Sequence, residues 1–201
     1  MKSLIAIVSL LGMAQAYAHG TGLSSYPLEL GQNLFSTEFS GITSDGGGVG
    51  LQGRFTRKIN PKMVFDGGFG ISGGERNSRL FVGTDYELFP DYMKQPKVSI
   101  RTSFEHAREF GSEKNILAVA PKISKGFSLW GHEAFPYVAM PIGLNLDSET
   151  RQYESQASLN FGITGNLPFE GYRNILGVLE TTVGIKDAYT GLFAGVSFPL
   201  N

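Results

Sequence analysis

The chain contains no cysteine among its 201 residues, so it can build neither a disulfide framework nor a thiolate metal site. Charge is scarce too. Asp, Glu, Lys and Arg make up 17% of the chain and nearly cancel, leaving a formal net charge of −1. That balance excludes the basic footprint of a nucleic-acid-binding surface. Beyond the first eighteen residues there is no long apolar run, hence no segment of about 20 apolar residues to cross a bilayer as a helix. An amphipathic 3.6-residue period is absent as well. At 41% hydrophobic residues, however, the chain is too apolar for disorder. What is plentiful is glycine (27), phenylalanine (15) and tyrosine (8), which suits strands and turns.

The opening stretch, MKSLIAIVSLLGMAQAYA, has a basic residue at Lys2, an apolar run from Leu4 to Met13, and small residues at Ala16 and Ala18. Those are the n-region, h-region and A-x-A site of a secretory signal peptide. Residues 1–18 are therefore expected to be cleaved, residues 19–32 to form an N-terminal periplasmic arm, and residues 33–201 to form one domain. An exported chain without disulfides must rest on a closed hydrogen-bonded sheet or a large core.

The dominant pattern is strict alternation. In GVGLQGRFTRKI, Val49, Leu51, Gly53, Phe55 and Ile59 fall on one side of an extended chain, and Gln52, Arg54, Thr56 and Lys58 on the other. Similar stretches recur over Asn33–Thr43, Gly48–Ile59, Met63–Gly73, Ser78–Phe89, Lys97–Arg108, Asn115–Lys125, Glu133–Leu146, Gln152–Asn166, Asn174–Lys186 and Thr190–Leu200. About ten strands are expected, or eight if two weaker segments are irregular. Their length exceeds the usual soluble strand of about five or six residues and fits tilted transmembrane strands of about nine to eleven.

The polar side carries Arg54, Lys58, Asp66, Arg79, Asp85, Glu87, Arg101, Glu105, Lys122, Glu154, Glu180 and Lys186, both signs in similar number. The turns fall into two sets. Every second one is charged and glycyl; the others are proline- and aromatic-rich, with Phe89, Tyr92, Phe127, Trp130, Phe135, Phe169 and Tyr172. Up-and-down pairing collects the aromatic turns at one end, as an interfacial belt would require.

The ending, YTGLFAGVSFPLN, alternates Leu192, Ala194, Val196, Phe198 and Leu200 almost to the last residue. Here the chain resembles the small outer-membrane β-barrels of Gram-negative bacteria, whose last strand is an insertion signal. It departs from them in lacking the terminal aromatic; Leu200 stands there, followed by Asn201. The resemblance implies an all-β, single closed antiparallel transmembrane barrel in the cell outer membrane. It implies contact with membrane lipid, lipopolysaccharide and the insertion machinery. Leu192, Val196, Phe198 and Leu200 would carry the signal. The polar stripes then meet inside as a salt-bridged network. The alternative is a secreted or periplasmic β-barrel or sandwich whose apolar stripes line a ligand cavity.

No catalytic, cofactor-binding or metal-ligating pattern stands out. His19 followed by Gly20 at the expected cut resembles the copper-gripping start of lytic polysaccharide monooxygenases, but an exposed residue beside a cleavage site explains it more simply. His106 lies near a rim with Arg108, where a histidine and a hydroxyl could attack lipid, yet Ser103 falls on the opposite face. The expected function is non-enzymatic: a monomeric structural or surface barrel, or a narrow solute path.

Overall fold

A computed structural model of the protein describes residues 25–44, 47–73, 76–109, 111–129, 131–148, 152–169, 171 and 174–200. The expected signal peptide, the arm before Ser25, and the belt residues Trp130 and Tyr172 lie outside them.

The described residues form one antiparallel sheet. Its segments are β1 (Asn33–Ile42), β2 (Val49–Asn60), β3 (Met63–Ser72), β4 (Arg76–Phe89), β5 (Lys97–Glu109) and β6 (Ser112–Ser124). After them come β7 (Phe127–Leu129), β8 (His132–Ala139), β9 (Ile142–Asp147), β10 (Tyr153–Asn166), β11 (Leu176–Lys186) and β12 (Gly191–Leu200). The sheet closes because β12 pairs with β1 from Asn33↔Leu200 to Ile42↔Gly191. No backbone edge is left along the wall, the only way a sheet can lie in hydrocarbon.

Twelve segments make ten staves. The expected strand Glu133–Leu146 is split at Met140 and Pro141, where the chain crosses Pro121 of β6. Neither proline can donate to the ladder. Yet the register on β6 runs on unshifted, from Lys122↔Ala139 to Val119↔Ile142, so β8 and β9 are one stave. The other extra segment, β7, pairs Phe127↔Ala134 and extends β8 beyond the wall as a short hairpin where a plain turn was expected.

Orientation is decided along β2. Leu51 is 52% exposed and its neighbour Gln52 3%; Phe55 is 39% exposed and Arg54 1%. The same holds around the barrel: Phe69, Leu80, Leu117, Leu144, Leu179 and Leu192 face out, while Glu38, Asp66, Asp85, Arg101, Lys122 and Glu180 are buried. Apolar stripes outside and ionic stripes inside invert the order of a water-soluble protein. The apolar-cavity alternative is thereby not favoured, because the lumen holds the charges.

Both termini of the barrel lie at the end of the aromatic turns, since Asn33 pairs with Leu200. There the arm folds back into the mouth. Leu28 is buried with the inward-facing Leu34, Val64 and Leu176, and Tyr26 packs against this cluster. Burying one leucine in this way contributes about 1.5–3 kcal/mol. Lys58 Nζ donates to the Leu28 carbonyl at 2.8 Å, and the backbone of Gly31 and Lys58 closes the return, with Gly31 in the left-handed region at φ 80°. At the far end Ala188 and Tyr189, joined by Ile42, form a smaller buried cluster, from which Tyr189 Oη reaches across to donate to Glu109 Oε2 on β5 at 3.2 Å.

Candidate functional site: the ionic layer of the lumen

Between the two apolar ends, strands β1 to β6 send their charges toward one another. Arg101 clasps Asp66 with both guanidinium nitrogens, Nη2 to Oδ1 at 2.7 Å and Nη1 to Oδ2. The fork geometry of arginine suits such two-point contact. Arg54 Nη1 lies 3.9 Å from the same carboxylate, and its Nε lies 3.0 Å from Glu38 Oε1. Gln52 Nε2 donates to Glu38 Oε2, and the Arg54 guanidinium sits 5.0 Å above the Phe81 ring. Lys122 Nζ meets Asp85 Oδ2 at 2.8 Å, and Arg79 reaches Glu105 at 3.7 Å. Gly83 faces inward beneath Arg101; a Cβ there would run into the guanidinium.

A second polar cluster stands on the opposite wall. Tyr137 Oη donates to Glu180 Oε2 at 2.5 Å and Asn160 Nδ2 donates to Oε1 at 2.8 Å. Ser158 Oγ donates to Asn160 Oδ1 at 3.1 Å. Tyr137 can cross because Gly162, its partner across the ladder, has no side chain to block the ring.

Of the twelve polar residues placed inside from sequence, Arg54, Asp66, Asp85, Arg101, Glu105, Lys122 and Glu180 are buried in these clusters. Arg79 belongs to the layer through Glu105. Lys58 holds the arm, and Glu87 pairs with Lys97 at 3.6 Å toward the aromatic-turn end. Glu154 and Lys186 do not enter the lumen. Both are exposed at the charged-turn end, where Lys186 Nζ donates to Ser155 Oγ. Glu154 lies on β10 beyond the last β11 pair, Ala157↔Lys186, and at that pair the register shifts, setting Lys186 opposite Ala157 on the outward side. Asn160, on the polar side of its strand by sequence, joins the layer through Glu180, and Glu38 and Tyr137 belong to it although the sequence did not single them out. Glu38 was readable from its phase with Ser36 and Ser40; Tyr137 was hidden because FPYV breaks the alternation.

Among the expected belt residues, Phe89, Tyr92, Phe127 and Phe169 are exposed near the aromatic-turn end. Phe135 is not part of a belt. Its ladder partner is the inward Thr164, and its ring packs edge-on against Tyr26 of the arm at 5.4 Å. Two turns at this end are tied together by Lys125, whose Nζ donates to Asp91 and to the carbonyls of Met93 (2.6 Å) and Gln95 (3.2 Å). Gly126 N donates to Asp91 Oδ2 at 2.7 Å. Partial burial opposes ionisation of Asp91, but the hydrogen bonds from Lys125 and Gly126 win and hold its carboxyl below its ordinary pKa. Leu192, Val196, Phe198 and Leu200 lie on the outer face of β12, between β1 and β11.

His106 is on the outer face, with Nδ1 2.9 Å from Asn115 Oδ1; Asn115 Nδ2 in turn donates to Ser148 Oγ at 3.1 Å. The hydroxyl thus meets the amide and not the imidazole, which is not the contact a histidine-activated nucleophile uses. Among the described residues no group of three or more His, Cys, Asp or Glu side chains could hold a metal ion.

A closed antiparallel barrel with an apolar wall and an ionic lumen is a transmembrane β-barrel. No family model and no curated protein matches the chain. Among solved structures it is similar to a de novo designed transmembrane β-barrel, at 11% identity and a TM-score of 0.42 over 87% of this chain and 100% of that one. It is also similar to the KdgM porin, at 11% identity and a TM-score of 0.39 over 84% of this chain and 99% of that one. The wall and the lumen themselves, not these distant likenesses, define the class.

Proposed function

We propose that the chain is a non-enzymatic barrel of a bacterial outer membrane, serving as a sealed structural or surface element rather than an open pore. One observation carries this reading: Arg54, Arg101, Lys122, Glu38, Glu105 and Glu180 are each less than 2% exposed. A water-filled channel leaves its lining charges wet. Here they are spent on each other, and the arm fills one end while Tyr189 reaches across the other. Closure of the wall favours a monomer. Residues 1–18 would direct export and then be cleaved, and insertion would begin from the outward stripe of β12, with lipid and lipopolysaccharide as the surrounding partners.

Planar-bilayer recording on the purified, lipid-reconstituted protein tests the sealed lumen. The expected result is no stepwise conductance; stable channels from the wild-type chain would contradict it. Fractionation with outer membranes, together with heat-modifiable migration on a detergent gel, tests the location. Recovery in the soluble periplasm would contradict that part.

A further inference from the structure

Neighbouring staves are joined by a stretch of chain everywhere except where the sheet closes. There β12 meets β1, the last strand and the first, and no turn links them. A turn keeps two strand ends close; without one, the ladder alone must do so. The phase of this ladder is fixed by Thr43 N, which donates to Thr190 O at 3.0 Å. Odd-numbered residues of β1 therefore turn their backbone toward β12, and Phe35 and Phe198 exchange two hydrogen bonds. Ser36 and Ser197 form the closer, non-bonded kind of pair. Both are fully buried, with their hydroxyl oxygens 2.7 Å apart.

The arm crosses this seam from inside. On the β12 side, Tyr26 Oη donates to Asn166 Oδ1 of β10 at 3.2 Å, and its ring meets Phe135 of β8. Ser25 Oγ lies 3.4 Å from Thr164 Oγ1, also on β10. Leu28, 3% exposed, joins Leu176 of β11 and Leu34 of β1 in one cluster. On the β1 side, Lys58 of β2 holds the Leu28 carbonyl, its own carbonyl accepts from Gly31 N at 3.0 Å, and Val64 of β3 completes the cluster. From β10 to β2 the wall spans four strand spacings of about 4.8 Å, roughly 19 Å. Extended chain from Ser25 to Gly31 reaches roughly 20 Å, enough to cross it.

We propose that residues 25–32 are a strap that holds the β12–β1 seam shut at the aromatic-turn end, standing in for the turn the seam lacks. Seated, the strap ties the staves on both flanks together; released, it leaves the seam as the place where the wall parts first. An arm that only filled the mouth would steady every strand pair it touches alike. Among those is β2–β3, which has its own turn at Pro61 and Lys62. The inference requires the closed barrel alone, so its failure leaves the sealed outer-membrane reading standing.

Hydrogen exchange of backbone amides, read by NMR on the full chain in lipid nanodiscs, tests the strap. Leu28→Ala with Tyr26→Ala should speed exchange at Phe35 and Phe198 about tenfold or more, the scale of a buried side chain lost from a local opening. The β2–β3 and β5–β6 ladders should keep their wild-type rates. Ser36→Cys with Ser197→Cys then adds a covalent staple, since Cα atoms of such a pair stand about 4.5 Å apart, inside disulfide range. Oxidised, the staple should return Phe35 and Phe198 to slow exchange in the Leu28→Ala, Tyr26→Ala background while the arm stays open to protease. Reduction should restore the fast rates. Unchanged seam rates without the staple, equal acceleration of β2–β3, or fast exchange that survives the oxidised staple would each overturn the proposal. So would an arm that still resists protease after both substitutions, because other contacts would then hold it. Should the double variant give no heat-modifiable barrel, Leu28→Ala alone carries the same comparison.

Discussion

Leu51 and Gln52 are neighbours in β2, yet each sits where a soluble protein would place the other. The wall is a surface whose solvent is hydrocarbon, so an exposed leucine there costs nothing and an exposed arginine costs several kcal/mol. The lumen is an interior filled with charge, where each ion is tolerable only because a partner replaces its lost water. The contrast shows that side-chain type alone does not decide burial in this chain; the medium on each side of the sheet does. The lumen in turn differs along its own length, ionic at mid-height and apolar where the arm enters.

The strongest way to break the contrast is to orphan a charge inside. Asp66→Ala leaves Arg101 without its two-point partner and Arg54 without its neighbour; it should cost about 3–5 kcal/mol by urea unfolding of the lipid-reconstituted protein. The double change Asp66→Leu with Arg101→Met should recover most of that loss, since removing both ions also removes their desolvation. Placing a charge outside comes next. Phe69→Arg, in the middle of β3 on the wall, should cost about 2–4 kcal/mol in the same assay, and Phe69→Leu far less.

Leu28→Ala probes the apolar mouth. About 2 kcal/mol of local stability should be lost, at the low end for a buried leucine because the mouth can relax. It should be read as faster proteolysis of the arm while the barrel stays intact. Smallest is the turn latch. Asp91 titrates below its unfolded value, so its contribution is present above the unfolded pKa and is lost as the pH falls through the depressed folded value. Asp91→Asn should remove this acid-sensitive component, with an effect under about 1 kcal/mol at neutral pH.

The wall was legible in the sequence because a period of two, once its phase is known, assigns every residue of a long strand to one side. Phase alone could not choose the medium; length, export and the scarcity of charge did. Legibility failed where the period failed. FPYV put Phe135 inside rather than in the expected belt, since two aromatics and a proline in a row carry no binary signal. It failed again at the strand ends, where Glu154 runs past the end of β11 and a register shift turns Lys186 to the side of the outward Ala157. The cluster of Leu34, Val64 and Leu176 breaks the polar stripe for a reason no local pattern records: the arm returns from outside the strands to meet it.

The central claim is that the apolar stripe touches acyl chains and the polar stripe is enclosed. Because the chain has no cysteine, a single cysteine introduced at each position from Val49 to Lys58 carries one spin label without ambiguity. Collision with oxygen and with a water-soluble nickel complex, measured in lipid vesicles, then reads the medium around each label. Labels at positions 51 and 55 should collide with oxygen and not nickel, and labels at 52 and 56 with neither. Strong nickel collisions at 52, 54 and 56, with 51 and 55 shielded from both, would contradict the account.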